Sequence, residues 1–371
     1  MPQAGADELA AYLERLRLNR LLVEHLEREL ASGLGSEDRS RLVERLAELY
    51  PELLEREQDP AKRAELAKAS QAFLERENPK QGDVLRLSLL RARYRSAARA
   101  AEDVRVALVD DAAGGVANQQ LEAIAKEAGQ LRQRLELRVR DLERRSDRTG
   151  GFEGELAVGK TDRVRGLLQE ALSLEAWSLY YRSVLGGDRG LADAAQGLFA
   201  RILDTGSAYP SPKDVSLDLR ANEFYANAVL GMALAKSRTE SLPTALEWLA
   251  LLEEPRTAES IRRQLPAWRL VAAIDRREFA QAREILKPLL ADSSAPVPWL
   301  RLAAVGGLRA EGEAAANPDA RALAREAIAG LASRRELGQV ADLARRFGDA
   351  AYAFEELCAL SGQSAPSATL Q

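Results

Sequence analysis

The 371-residue chain contains one cysteine, Cys358, and one histidine, His25. A lone thiol excludes an internal disulfide and the Cys-rich zinc and iron–sulfur sites. A lone imidazole excludes a multi-histidine metal site, and no nucleophile motif accompanies it to build a Ser/His/Asp relay. His25 sits among Glu24, Glu27 and Glu29 and reads as an ordinary half-exposed side chain. Cys358 lies on the apolar stripe of Phe354–Leu360, with no adjoining basic residue to lower its pKa, and reads as core. Aromatic residues make up 5% of the chain and β-branched residues are sparse, which argues against a large sheet. No apolar run reaches the ~18–20 residues that a bilayer-spanning helix needs. The 53 Lys and Arg are offset by 57 Asp and Glu, so the chain lacks the basic excess of a general nucleic-acid or acidic-membrane binder.

The start, Met1–Ala6, has neither the basic region nor the apolar core of a signal peptide. The expected location is therefore cytoplasmic, or periplasmic or exported if a leader was removed. Residues 362–371 are small and polar and read as a disordered tail. The preceding segment, Ala350–Ser361, is too apolar for a terminal capping helix, so the natural protein is expected to continue beyond Gln371.

Leu, Ala, Arg and Glu dominate, all good helix formers. Arginine far outnumbers lysine, which reads as the base composition of a GC-rich bacterium. Apolar residues recur at helical spacing almost throughout, so the fold class is all-α. An N-terminal helical region covers 1–81, with Pro51 expected to kink or split the helix Glu37–Arg56. Residues 82–148 read as a long antiparallel, coiled-coil-like helical hairpin. Its helices Gly82–Asp110 and Val116–Asp147 are joined through Asp110–Gly115. The second helix carries a seam of Leu121, Ile124, Ala128, Leu131, Leu135 and Leu142, facing Val84, Leu87, Tyr94, Ala98, Ala101 and Leu108. Thr149–Gly154 is a linker and the main boundary. Shorter helices fill 155–361, among them Leu217–Lys236, Ala258–Ile274 and Pro298–Glu311. Trp177, Tyr180 and Tyr181, at i, i+3 and i+4, read as helix–helix core.

The clearest unit of this second half runs from Trp268 to Leu290: a helix, a charged turn, then Phe279 three residues before Ala282, with Leu286 and Leu289 following. Leu230–Ala233 with Pro243–Leu252, and Leu191–Leu203, give two further units, and Trp268 and Trp299 are one repeat length apart. Over roughly 188–360 the chain resembles the tetratricopeptide repeat proteins. The resemblance implies a right-handed helical-hairpin solenoid with a concave groove for a protein or peptide partner, without a cofactor and without catalysis. Polar side chains on the first helices of the pairs would line that groove: Arg220, Asn222, Asn227, Arg263, Arg269 and Arg301. The two asparagines are singled out because an asparagine inside a helix can grip an extended peptide backbone.

Two other readings stand beside the scaffold. Gly154-Glu-Leu-Ala-Val-Gly159-Lys160-Thr161 fits the phosphate-loop pattern, in which backbone amides cradle phosphates, Lys contacts their oxygens and Thr holds Mg²⁺. That motif needs a preceding buried strand, whereas a charged helix end precedes it here. The Walker-B-like stretch Val104–Asp110 lies upstream and continues a helical stripe. Alternatively, the arginines of the hairpin, such as Arg132, Arg138, Arg144 and Arg145, could contact nucleic acid phosphates, but the charge excess is mild and a solvated coiled-coil surface is the better account of them.

Overall fold

The computed structural model of the protein describes residues 3–32, 35–57, 59–77, 79, 82–146, 152–207, 209–313 and 317–347. Cys358, the helix expected at Ala350–Ser361, the tail 362–371 and the linker residues 149–151 lie outside them. Among the described residues the chain is all-helical and contains no strand. The helices are α1 (Gln3–Arg15), α2 (Asn19–Ala31), α3 (Ser36–Arg56), α4 (Pro60–Glu77), α5 (Gly82–Arg105), α6 (Asp111–Ser146), α7 (Phe152–Gly186) and α8 (Arg189–Leu203). They continue with α9 (Leu217–Ala221), α10 (Glu223–Thr239), α11 (Leu242–Ala250), α12 (Glu259–Arg262), α13 (Leu265–Asp275), α14 (Phe279–Ala291), α15 (Val297–Glu313), α16 (Pro318–Ser333) and α17 (Leu337–Phe347). Among the described residues, no helix is long and apolar enough to cross a membrane.

The chain divides into two compact units: residues 1–96 with 123–175, and residues 97–122 with 176–371. The division passes through the three long helices α5, α6 and α7 and does not follow the stretch 149–154.

In the first unit α1 packs on α2, α2 on α3 and α3 on α4. Their inward faces close over Leu22, Leu26, Leu46, Tyr50 and Phe73, with the Tyr50 and Phe73 rings 5.2 Å apart. Pro51 is buried inside α3 without splitting it. The ion pairs Asp83–Arg138 (3.3 Å) and Arg93–Glu127 (2.9 Å) fix α5 antiparallel to α6. The pairs Glu143–Arg165 and Arg132–Glu175, both 2.7 Å, fix α7 antiparallel to α6 in turn. α6 therefore has a helical neighbour in both α5 and α7. The α6 seam is buried at Leu121, Ile124, Ala128, Leu131 and Leu135. On α5 the buried residues include Leu85, Leu87, Leu89, Leu90, Ala97, Ala101 and Val104, while Leu108, just past its end, is exposed. Of the expected second stripe, Leu87 and Ala101 are buried and Val84, Tyr94 and Ala98 half-buried, while α5 meets neighbours on more than one side and buries further positions.

The connection between α5 and α6 is also tighter than its Asp-Ala-Gly composition suggests. α6 begins at Asp111, and Gly114 and Gly115 are helical. α5 ends instead in a Schellman turn: Ala107 takes a left-handed conformation (φ 50°), its amide bonds to Val104 O, and Leu108 N bonds to Asp103 O. The same pair of backbone bonds closes α1 at Arg17 (φ 56°), α13 at Arg277 (φ 59°) and α16 at Arg335 (φ 62°). A side chain in this conformation costs about 1–2 kcal/mol, partly offset by the greater flexibility of glycine when unfolded. Arg335→Gly, at an exposed position, is expected to raise stability by about 0.5–1 kcal/mol. A urea midpoint unchanged or lowered would show that the Arg335 side chain contributes more than its backbone costs.

In the second unit the helices pack closely on one another. α10 packs on α8, α11 and α13; α13 on α14 and α15; α14 on α15 and α16; and α15 on α16 and α17. Local signals set the starts. Asn317 Oδ1 accepts from Asp319 N (3.0 Å) ahead of Pro318 at the first position of α16, and Asp188 Oδ1 accepts from Gly190 N (2.8 Å) at α8. Phe279, Ala282 and Leu286 are buried on α14. Trp177 meets Phe199 edge-on at 5.3 Å, and Tyr180 and Tyr181 are buried beside it.

Candidate functional site

The polar centre of the second unit is built on the C-terminal end of α5. Such an end presents carbonyls that the helix itself cannot satisfy and the negative pole of the helix dipole. Three arginines from later elements answer it. Arg309 donates to Val104 O (2.7 Å) and Arg105 O (3.4 Å), both from its guanidinium amino groups. Arg301 donates through Nε to Val106 O and through a second nitrogen to Ala107 O, both at 2.7 Å. Arg346 donates to Leu108 O at 2.7 Å. Five consecutive carbonyls, 104–108, are thus held by side chains of α15 and α17. The planar guanidinium makes this possible, since one arginine can bridge two adjacent carbonyls.

Arg301 is 2% exposed and also reaches Gln339 Oε1 (2.5 Å) and Asp342 Oδ2 (2.6 Å). Burial opposes the charge of Asp342, but hydrogen bonds from Arg345, Arg301 and Arg346 outweigh it and hold the carboxyl down at about 2.

Beside this clamp lies a cavity of about 940 Å³ within the second unit. Arg105 on α5, Arg238 on α10, Arg277 after α13, Arg309 on α15 and Arg346 on α17 line it, together with the carboxylates of Asp110 and Asp275. Apolar walls come from Val184, Val271, Leu302 and Val305. Arg105 is buried, donates to Tyr180 Oη (2.9 Å) and pairs with Glu102 (3.1 Å). Burial works against its charge, yet Glu102 and the other neighbouring acids raise its pKa well above the ordinary value. Burial in turn pushes the Tyr180 hydroxyl up to about 12, with Arg105 opposing. Arg238 donates to Ser183 O (2.8 Å) and stands 3.5 Å from Asp275 Oδ2. The Nε atoms of Arg105 and Arg238 are buried without a hydrogen-bond partner.

The groove residues expected from sequence divide into two groups. Arg220 donates to Leu251 O (3.1 Å), Arg269 pairs with Glu253, and Arg263 bonds to Glu259 (2.9 Å). Arg220 and Arg269 thus both reach the stretch Leu251–Glu253 between α11 and α12. Arg301 is not among them, and its assignment to an open groove is corrected: it is a buried clamp. The helix expected at Leu217–Lys236 breaks at Asn222, whose Oδ1 accepts from Phe224 N (2.9 Å) and caps α10. Asn222 is therefore not an asparagine inside a helix. Asn227 donates to Glu223 O in its own helix (3.0 Å). Ala258–Ile274 is likewise interrupted, into α12 and α13.

Gly154, Gly159, Lys160 and Thr161 lie inside α7, so the phosphate-loop reading is corrected. Helical amides past the first turn are spent on carbonyls four residues back and cannot cradle a phosphate. Of the hairpin arginines, Arg132 is held between Glu136 (2.9 Å) and Glu175 (2.7 Å), and hydrogen bonding to Glu175 raises its pKa first of all. Arg138 pairs with Asp83 and Arg144 stands 4.0 Å from Asp141.

Sequence reasoning missed Arg105, Arg238, Arg309 and Arg346. One signal was present: Arg301 and Arg309 lie about two helical turns apart, and the helix between and before them is apolar, a pattern that asks for buried acceptors. Comparison with protein-family models, with curated proteins and with solved structures gives no match to this chain.

Proposed function

We propose that the chain is a non-catalytic protein–protein interaction scaffold, a helical-repeat solenoid similar to the tetratricopeptide repeat proteins. The observation that carries this reading is the order of packing from α10 to α17, in which each helix of a pair meets its sequence neighbour and α13, α15 and α17 also follow one another. Stacking of that kind buries a continuous core and leaves long faces for a partner. The arginine clamp supports it further, since α15 and α17 hold a stretch of chain by its backbone carbonyls irrespective of side-chain identity. The partner surface would comprise Arg220, Asn227, Arg263 and Arg269, of which Arg220 and Arg269 meet at the stretch Leu251–Glu253.

The test is crosslinking mass spectrometry from a native extract with the full chain as bait, run beside an Arg220→Glu, Arg263→Glu, Arg269→Glu bait of unchanged circular dichroism. The expected result is one or two stoichiometric partners crosslinked to α9–α13 and depleted at least about tenfold with the variant, as charge reversal at an interface predicts. Partners retained equally by both baits would overturn the surface, and no partner above background would overturn the scaffold reading.

A further inference from the structure

We propose that the exposed face of α1 is a contact between two copies of this chain, made by antiparallel pairing of one α1 with another about a two-fold axis near Tyr12. This goes beyond the scaffold reading and does not depend on it. Five of the twelve large apolar side chains exposed among the described residues fall in one short stretch: Leu9, Tyr12, Leu16, Leu18 and Leu21. Scattered singly, such residues need no partner; gathered, they mark a contact surface. Leu9, Tyr12 and Leu16 stand at i, i+3 and i+7, so they share one face of the helix. Leu16 keeps the helical register, its amide bonding to Tyr12 O at 3.1 Å. All three are 45–49% exposed, because α1 meets the core of its own unit through Ala10 and Leu13 instead.

Three features fit this stripe to a second copy of itself. Its spacing is close to palindromic: with Tyr12 near the axis, an antiparallel α1 sets Leu9 of each copy against Leu16 of the other. A two-fold contact demands that kind of self-complementarity. Its charge is polarised as well. Asp7 and Glu8 precede the stripe, and Arg15 and Arg17 follow it. Antiparallel pairing therefore lays the acidic end of one helix beside the basic end of the other, whereas parallel pairing would set like charges together. The size is adequate too. The five side chains, each about half exposed, offer roughly 400 Å² of apolar surface. That is about the apolar share of a standard interface, which takes some 800 Å² from each partner.

Sedimentation velocity of the full chain, run from about 1 to 100 μM, is expected to show a monomer–dimer equilibrium. Tyr12→Asp brings two carboxylates to the axis and should weaken dimerisation about tenfold or more, with circular dichroism unchanged. Glu8→Arg and Arg17→Glu should each weaken it about threefold or more, since the two-fold makes every lost pair count twice. Combining the two substitutions in one chain should restore the dimer, as should mixing the two single variants. A monomer at every concentration would overturn the proposal, and so would a dimer indifferent to Tyr12→Asp. A dimer sensitive to Tyr12→Asp but not restored by the charge swap would overturn the antiparallel pairing.

Discussion

Gly307→Val is expected to destabilise the protein by about 3 kcal/mol or more, at the upper end of what overpacking usually costs. Gly307 lies on α15 where that helix crosses α16. A Cβ built there would stand 2.5 Å from the carbonyl oxygen of Ala320 and 2.9 Å from both the amide nitrogen and the Cβ of Ala324. Two of these three atoms belong to the backbone and cannot rotate aside, so the helices themselves would have to separate. A Cβ at the neighbouring Gly306 would meet the side chain of Ile274 on α13, at 2.8 Å. The Gly-Gly pair therefore admits one helix on each side. Each glycine costs about 1 kcal/mol of helix propensity, which only close packing explains. Calorimetry should show a melting temperature lowered by roughly 6–12 °C for a unit of this size. Gly338→Ala, in α17 with nothing within 4 Å of the added methyl, should instead stabilise. Equal effects of the two substitutions would show that the α15–α16 crossing tolerates separation.

Arg301→Met should be comparably severe, with an expected loss of about 3–5 kcal/mol. The methionine fills much of the volume but leaves Val106 O, Ala107 O and the Asp342 carboxylate without their shared donor. Arg301→Lys is not expected to rescue, because a single ammonium cannot bridge two successive carbonyls and also reach Gln339 and Asp342. The same cluster sets an acid sensitivity. The folded-state pKa of Asp342, about 2, lies below its unfolded value near 4. Its contribution is therefore complete above about pH 4 and is lost as the pH falls toward 2. Urea midpoints at pH 6 and pH 3 should differ less for Asp342→Asn than for the unsubstituted chain. An Arg301→Met midpoint within about 1 kcal/mol of the parent would mean that water replaces the guanidinium at these carbonyls.

Periodicity and composition determined a good deal without coordinates. A sequence rich in Leu, Ala, Arg and Glu with apolar residues every three to four positions can bury its surface only as helices. The seam of α6 from Leu121 to Leu135 was legible residue by residue. So was the turn at Arg276–Glu278, because Phe279, Ala282 and Leu286 resume the stripe immediately after a charged interruption. The break at Asn222 was written locally too, as a capping residue ahead of Glu223 and Phe224, but a continuous apolar pattern on both sides concealed it.

Tertiary structure alone decided which neighbour covers each stripe. A helical face states how much it needs to bury and leaves open what will bury it, so α7 could not be read as the third member of the hairpin. It also decided which arginines are surface and which are clamps. Arg301 and Arg263 have the same chemistry, and only the arrival of α5's unsatisfied carbonyls some two hundred residues earlier in the chain turns one of them into core. The cavity has the same origin: Arg105, Arg238, Arg309 and Arg346 are scattered along the sequence, and converging charge exists only once the helices have packed.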